Sequence, residues 1–276
     1  MADLSSLLEA RYGITTGSAH ALSASTNSTL ETLLQHKSVR QFLPSPLPQG
    51  TLELILAGAQ SAATSSNLQT WSVVAVEDPA RKSRAAALCG DQAFIRQAPL
   101  FLVFCADLHR LTQASHKHAT PGEGLRFTEM FLMAAIDAAL AGQNATVAVE
   151  ALGLGACYVG AARNNPRELA ELLGLPPRVV AVFGLAVGKP DPAQPASVKP
   201  RLSQAEVLHR ETWDDGAQHE NLATYDNTLA DFNARENRTD APAWTYRSAH
   251  RIATVESLHG RDVLSQVLQE RGFDLR

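Results

Sequence analysis

FLMAAIDAALAGQNATVAVEAL, residues 131–152, is the stretch on which the fold turns. Apolar residues fill nearly every helical position in it, and alanine is the commonest. A helix that is apolar all round belongs in the centre of a core. Its small side chains let another helix approach closely, and a subunit interface is one place for that. The pattern predicts one long helix from Leu125 to Leu152.

Strand patterns lie on both sides of this helix. WSVVAVED (71–78) is rich in β-branched residues, and PLFLVFCAD (99–107) is a continuous apolar run, as expected of a strand covered on both faces. ACYVG (156–160) and VVAVFGLAVG (179–188) follow, with a short helix between them. Helical periodicity is also read at 29–37, through Leu30, Leu33 and Leu34, and at 49–63, through Leu52, Ile55, Leu56 and Ala59. Leu4–Tyr12 reads as a short amphipathic helix, 15–29 as a linker, and 112–124, with its Ser, His, Thr, Pro and Gly, as a mobile loop. After Lys189 the chain is Pro-rich, then forms two or three polar helices with few apolar anchors, a tail expected to wrap a core, its own or a partner's. Strands are few and do not alternate strictly with helices. The order therefore predicts an α+β three-layer fold rather than a doubly wound one.

Composition narrows the function. The chain has 276 residues, 45% hydrophobic and 19% charged, with a net charge of −4. No global field attracts nucleic acid or anionic lipid, so any anion site must be local. Cys89, Cys105 and Cys157 form no CxxC pair and read as buried structural thiols. No apolar run is read as long enough to span a membrane, and the N-terminus lacks a signal-peptide pattern, so the expected location is cytoplasmic, with no membrane partner.

Several motifs carry less than they suggest. Gly153 and Gly155 superficially resemble a dinucleotide fingerprint, but a helix precedes them and a strand follows, the reverse of what that fingerprint needs. A helix C-cap is the reading that remains. His116 and His118, with His109 nearby, lack a carboxylate or thiol at ligand spacing and read as solvated. There is no GxSxG elbow, P-loop or HExxH, and no nucleophile with a base to serve it. HKSVRQF (36–42) gathers positive charge in an acidic chain. Lys37 and Arg40 could complement a helix C-terminus, or they could contribute to a phosphate site, which needs charged donors from several segments. TSSNLQ (64–69), Gln92 and VKPRL (198–202) are segments able to supply the rest.

Taken in order, these segments resemble the nitroreductase superfamily, specifically its NADPH-dependent flavin reductase and oxygen-insensitive nitroreductase group. The resemblance rests on HKSVRQF, TSSNLQ, Gln92, the helix with Glu129 and GQNA (142–145), GLGACYVGAARNN (153–165), FGLAVGKP (183–190) and VKPRL. It implies a nitroreductase-like fold in which residues 29–276 form one FMN domain after an N-terminal extension, 1–28, with 190–276 a helical tail that embraces a dimer partner. It implies a homodimer with FMN at the subunit interface, reduced by NADPH and reoxidised by nitroaromatic, quinone or flavin-type acceptors in a ping-pong scheme. His36, Lys37, Ser38 and Arg40 would hold the ribityl phosphate, and Lys199 and Arg201 would complete that grip. Ser65, Ser66, Asn67 and Gln69 would lie along the ring from the other subunit, and Gln92 would reach its polar rim. Tyr158, Val159, Gly160 and Ala161 would line its other face. Glu129, Arg163, Arg235 and Arg238 are the candidates for NADPH and substrate. Family members more often carry Arg at the place of Lys37 and Gly at that of Ala161, and Glu236 interrupts the basic loop. A specialised flavoenzyme, a non-catalytic flavin-binding protein, or an unrelated interaction protein are the alternatives from sequence.

Overall fold

The computed structural model describes residues 8–9, 11–12 and 28–276. Leu8, Glu9, Arg11 and Tyr12 are helical; the rest of the helix expected at 4–12, and the linker expected at 15–29 apart from its last two residues, lie outside the described residues. The chain divides into two compact units, one of Ser38–Ala196 with His259–Arg276 and one of the segment up to Lys37 with Ser197–Leu258.

The larger unit is built on four strands: β1 (Trp71–Val76), β2 (Leu100–Asp107), β3 (Gly155–Val159) and β4 (Val179–Gly188). They pair in the order β1-β2-β4-β3, antiparallel throughout, so β1 and β3 are the two edges. β2 is buried along its whole length, as its continuous apolar run requires. One face of the sheet, through Leu102, Phe104 and Leu185, packs on helix Thr51–Gln60 and on the central helix Thr128–Ala151. The other face, through Phe101, Val103 and Val159, packs on helices Pro79–Leu88, Ala93–Gln97 and Pro166–Leu173. This is the three-layer α+β arrangement expected from the sequence.

The small residues of the central helix serve its own chain. A Cβ added at Gly58 would lie 2.7 Å from the Cβ of Ala148, so helix Thr51–Gln60 meets the central helix almost backbone to backbone. At its end the central helix stops in a left-handed cap. Gly153 has φ +72°, its N–H donates to the Glu150 carbonyl (3.0 Å), and the Leu154 N–H donates to the Val149 carbonyl (3.0 Å). Gly155 has a different reason from the expected cap: a Cβ there would meet Val39 at 2.7 Å.

Three expectations need correction. The helix read at 29–37 is Ser28–Leu34, so the basic cluster lies beyond its last turn and does not serve its dipole. The loop read at 112–124 is largely ordered as helix His109–Lys117 and a 3₁₀ turn at Glu123–Arg126. Its polar composition hides two ties, Thr112 Oγ1 donating to the Leu108 carbonyl (2.9 Å) and Arg178 donating to Thr112 Oγ1 (3.1 Å). Finally, the central helix is long and apolar enough, at mean hydropathy 1.3, to meet the length criterion for a membrane span. Half of that window is buried in the fold, which is how a core helix passes the same test.

The last residues return to the sheet. Leu268 and Phe273 pack against Leu108, Leu125 and Val180, and Thr128 N–H at the start of the central helix donates to the Arg276 carbonyl (3.1 Å). In the smaller unit, helices Gln204–Val207, Gln218–Arg235 and Trp244–Arg251 bury Tyr225, Leu229 and Phe232, while Trp213, Ile252 and Val255 stay exposed. All three cysteines are buried, and burial pushes the Cys89 and Cys105 thiols up to about 12, as expected of structural thiols.

The Gly58 contact gives a stability prediction. Gly58→Ala gains about 1 kcal/mol of helix propensity, yet overpacking against Ala148 costs about 1–3 kcal/mol. Because one helix must shift to relieve a 2.7 Å contact, the net should be destabilising, with the thermal midpoint lowered by a few degrees. A melt at or above the wild-type midpoint would show that the two helices can separate freely.

Candidate functional site

The predicted site residues fall into groups on different parts of the structure. The first borders β3. Ser38 bridges Ala156 in parallel, with the Val39 N–H donating to the Ala156 carbonyl (2.9 Å), and Phe42 bridges Pro190. The chain from Ser38 to Phe42 thus runs beside the edge strand, with Ser38 and Arg40 exposed. Burial raises the Cys157 thiol, and the charge of Arg40 pulls it partly back, which puts that guanidinium's field on β3. At the far end of β3, Gly160–Arg163 forms a 3₁₀ turn whose Gly160 and Ala161 are half-buried. The Gly90 loop packs on this turn, and Gln92, nearby, donates to the Cys89 carbonyl (2.9 Å). Tyr158 keeps 36% of its surface exposed, but its ring rests on Phe183 (5.3 Å between centroids) and its hydroxyl accepts from Thr146 of the central helix (2.9 Å). Val159 is buried. Arg163 donates to the Val182 carbonyl, and burial lowers its pKa.

The second group lies at β1, the opposite edge. Ser65–Asn67 is a 3₁₀ turn, and Ser66, Asn67 and Gln69 all have left-handed backbones (φ 49°, 55° and 51°). Non-glycine residues in that region cost of order 1–3 kcal/mol each and persist only where the surroundings enforce them. Two charged side chains do so here. Asp137, 1% exposed on the central helix, accepts from Ser65 N–H (3.1 Å), Thr70 N–H (3.0 Å) and Thr70 Oγ1 (2.8 Å). From outside, Arg110 donates to the Gln69 and Trp71 carbonyls and to Ser72 Oγ (3.0 Å), and pairs with Asp107 (3.3 Å). A cleft of about 610 Å³ opens beside the turn, lined by Gln60, Thr64, Asn67, Gln69, Trp71 and Arg110. Between the edges stand β2 and β4, so the two edge strands are about 14 Å apart at the ordinary strand spacing.

The remaining residues belong to the smaller unit, apart from Glu129. There Lys199 and Arg201 are exposed on a segment fixed by Tyr225, whose hydroxyl donates to the Pro200 carbonyl (3.0 Å). His36, half-buried, and Lys37, exposed, are tied to this segment through Arg11. Arg235 ends its helix, exposed, and Arg238 lies over the Phe232 ring (5.4 Å) and 4.0 Å from Glu236. Glu129 is exposed in the first turn of the central helix, where an acid suits the helix dipole.

Residues 33–189 match the Nitroreductase family, and residues 199–276 match its C-terminal domain. The chain belongs to the nitroreductase family. It is 38% identical to the FMN reductase (NADPH) of Bacillus subtilis over 253 residues, covering 90% of this chain and 99% of that protein. It is 37% identical to the oxygen-insensitive NADPH nitroreductase of Salmonella typhimurium over 218 residues, 79% of this chain and 88% of the relative. The solved NADPH:FMN oxidoreductase of Vibrio harveyi, complexed with NAD+, superposes with a TM-score of 0.79 at 32% identity, covering 91% of this chain and all of the other.

Asp137, Arg110 and Arg11 were absent from the sequence reading, although they organise these segments. A single acid inside an otherwise apolar helix was the one available signal for Asp137. Asp137→Asn keeps the shape but turns an amide NH₂ toward groups that themselves donate. Stability should fall by about 2–3 kcal/mol, seen as a lower urea midpoint with an unchanged slope. An unshifted midpoint would mean that Asp137 does not hold the turn.

Proposed function

We propose that this nitroreductase-family chain is an FMN-dependent NADPH oxidoreductase that acts as a cytoplasmic homodimer on nitroaromatic, quinone or flavin-type acceptors. One observation carries the reading: the two halves of the expected flavin site lie on opposite edges of one four-stranded sheet. A second copy related by a two-fold axis and packed on the central helix would bring the TSSNLQ turn of each chain to the β3 edge of the other. The central helix supports a second copy, because Leu132, Ile136 and Leu140, at helical spacing, are 53%, 49% and 43% exposed. Residues 29–276 would then act as one functional domain, with 1–28 as an extension ahead of it.

The donor set fits a phosphorylated flavin. Ser38 and Arg40 in the larger unit, and Lys37, Lys199 and Arg201 in the smaller, are hydroxyl and cationic donors of the kind a phosphate needs. Four residues along β3 from the Ser38 bridge, about 13 Å at strand rise, stand the small, half-buried residues Gly160 and Ala161. Bound FMN supplies reversible two-electron chemistry. The chain's residues bind and orient. Ser65, Ser66, Asn67 and Gln69 present hydroxyl and amide donors to the polar edge of the ring, on a turn too firmly held to reorganise. Gln92 would serve its rim, and Tyr158, Val159, Gly160 and Ala161 would line its other face. NADPH and acceptor would use the same opening in succession. Arg163, Arg235, Arg238 and Glu129 are the proposed nucleotide contacts, with Arg235 the best placed because Arg163 already serves Val182 and Arg238 lies near Glu236.

Two measurements test this. Purified protein should be yellow, and anaerobic NADPH should bleach it, with colour returning on addition of a quinone or nitrofuran. A flavin that NADPH leaves oxidised would indicate a binder rather than an enzyme. Ile136→Glu should give a monomer by sedimentation that also loses its FMN on desalting. A monomer retaining FMN at wild-type affinity would place the whole site within one chain.

A further inference from the structure

The matched family region begins at residue 33, so Arg11 stands outside it. Yet Arg11 is only 5% exposed. Its Nε donates to the Leu34 carbonyl (2.9 Å), its second guanidinium nitrogen donates to the His36 carbonyl, and its own carbonyl accepts the Arg201 N–H (2.8 Å). Leu34 ends a helix, where carbonyls lack intrahelical donors, and a guanidinium fork suits two of them at once. These three bonds are to main-chain groups, so Arg11 fixes the backbone course of two segments. These are the basic segments HK (36–37) and KPR (199–201). Tyr225 holds the second of them from its other side, through the Pro200 carbonyl (3.0 Å).

We propose that Arg11 is a positioning residue for the phosphate grip, by which the N-terminal extension sets the spacing of the two basic segments and adds its own positive charge behind them. The inference rests on the reading of those segments as the FMN phosphate site, and it assigns the extension a role in selecting the phosphorylated flavin over the unphosphorylated one.

The test compares FMN with riboflavin, which shares the ring and ribityl chain but lacks the phosphate. Dissociation constants are measured by flavin fluorescence quenching on full-length apoprotein. Wild type should prefer FMN; equal affinities would refute the phosphate reading itself, whatever Arg11 does. Given that preference, Arg11→Ala should weaken FMN by roughly tenfold or more and leave riboflavin within about twofold. A loss shared equally by both flavins would mark Arg11 as merely structural, and no loss for either would mark it as idle; each overturns the proposal. Arg11→Lys keeps the charge without the fork and should fall between wild type and Arg11→Ala for FMN alone. If Arg11→Ala folds poorly, the lysine variant carries the same comparison: a selective loss of FMN supports the proposal, and a shared loss or none overturns it.

Discussion

A buried carboxylate holds the most constrained part of this structure together. Taking Asp137 out of water costs several kcal/mol, which only well-aligned donors offset. Ser65 N–H, Thr70 N–H and Thr70 Oγ1 are those donors, and all belong to one turn. The cost of burying the charge is thus converted into a single permitted geometry, because any other path of the 64–70 segment would leave the carboxylate uncompensated. Arg110 closes the same turn from the solvent side by taking up its carbonyls. Between an anion that collects N–H groups and a cation that collects C=O groups, the left-handed residues Ser66, Asn67 and Gln69 have no cheaper arrangement. The turn is presented rigid, as a surface that must meet a flat ligand should be.

The sheet then decides where that surface can be used. With only four strands, both edges lie close to the centre, and each carries functional segments: the TSSNLQ turn leads into β1, and HKSVRQF runs beside β3. Covered on both faces by helices, the sheet has no open face for a ring to stack on. Its edges are what remain. The exposed stripe on the central helix is the apolar counterpart of that constraint, since a core helix that keeps Leu132, Ile136 and Leu140 in solvent is incompletely buried.

How much of this was legible in the sequence depended on the range of the interactions. Strands were readable because a covered strand is largely apolar, and β2 and β4 announce themselves in eight and ten residues. The Gly153 cap was readable for the same reason, its hydrogen bonds closing within five residues. Helix His109–Lys117 was not, because its composition is polar and one of its ties comes from Arg178, 66 residues away. The helix at Pro79–Leu88 passed unremarked although Asp78 and Pro79 mark its start, the Asp78 side chain accepting from Arg81 N–H (2.7 Å). For the site, the segments proposed to face a ligand were recognisable as motifs, but the residues that hold them were not. Asp137 lies 67 residues from Thr70, and Arg11 lies 25 from His36; no local period records such pairs.

The two departures from the family pattern take on different meanings once placed in the structure. An alanine at 161 could have crowded a ring approaching the Gly160 turn. Its methyl instead lies about where the absent side chain of Gly90 would make contact, 3.5 Å from a Cβ built there. Gly90 is left-handed at φ +79°, so that space is kept open by backbone conformation as well as by size. The extra carbon faces the Gly90 loop. Lys37 has no such compensation beside it, since it is exposed and loses the bidentate fork that arginine would bring. What this chain has in addition is Arg11, whose guanidinium fork binds the main chain one residue before Lys37. If Lys37 is a phosphate ligand, as proposed, the exchange is coherent: what the donor would lose in geometry of its own, a more firmly held backbone would supply.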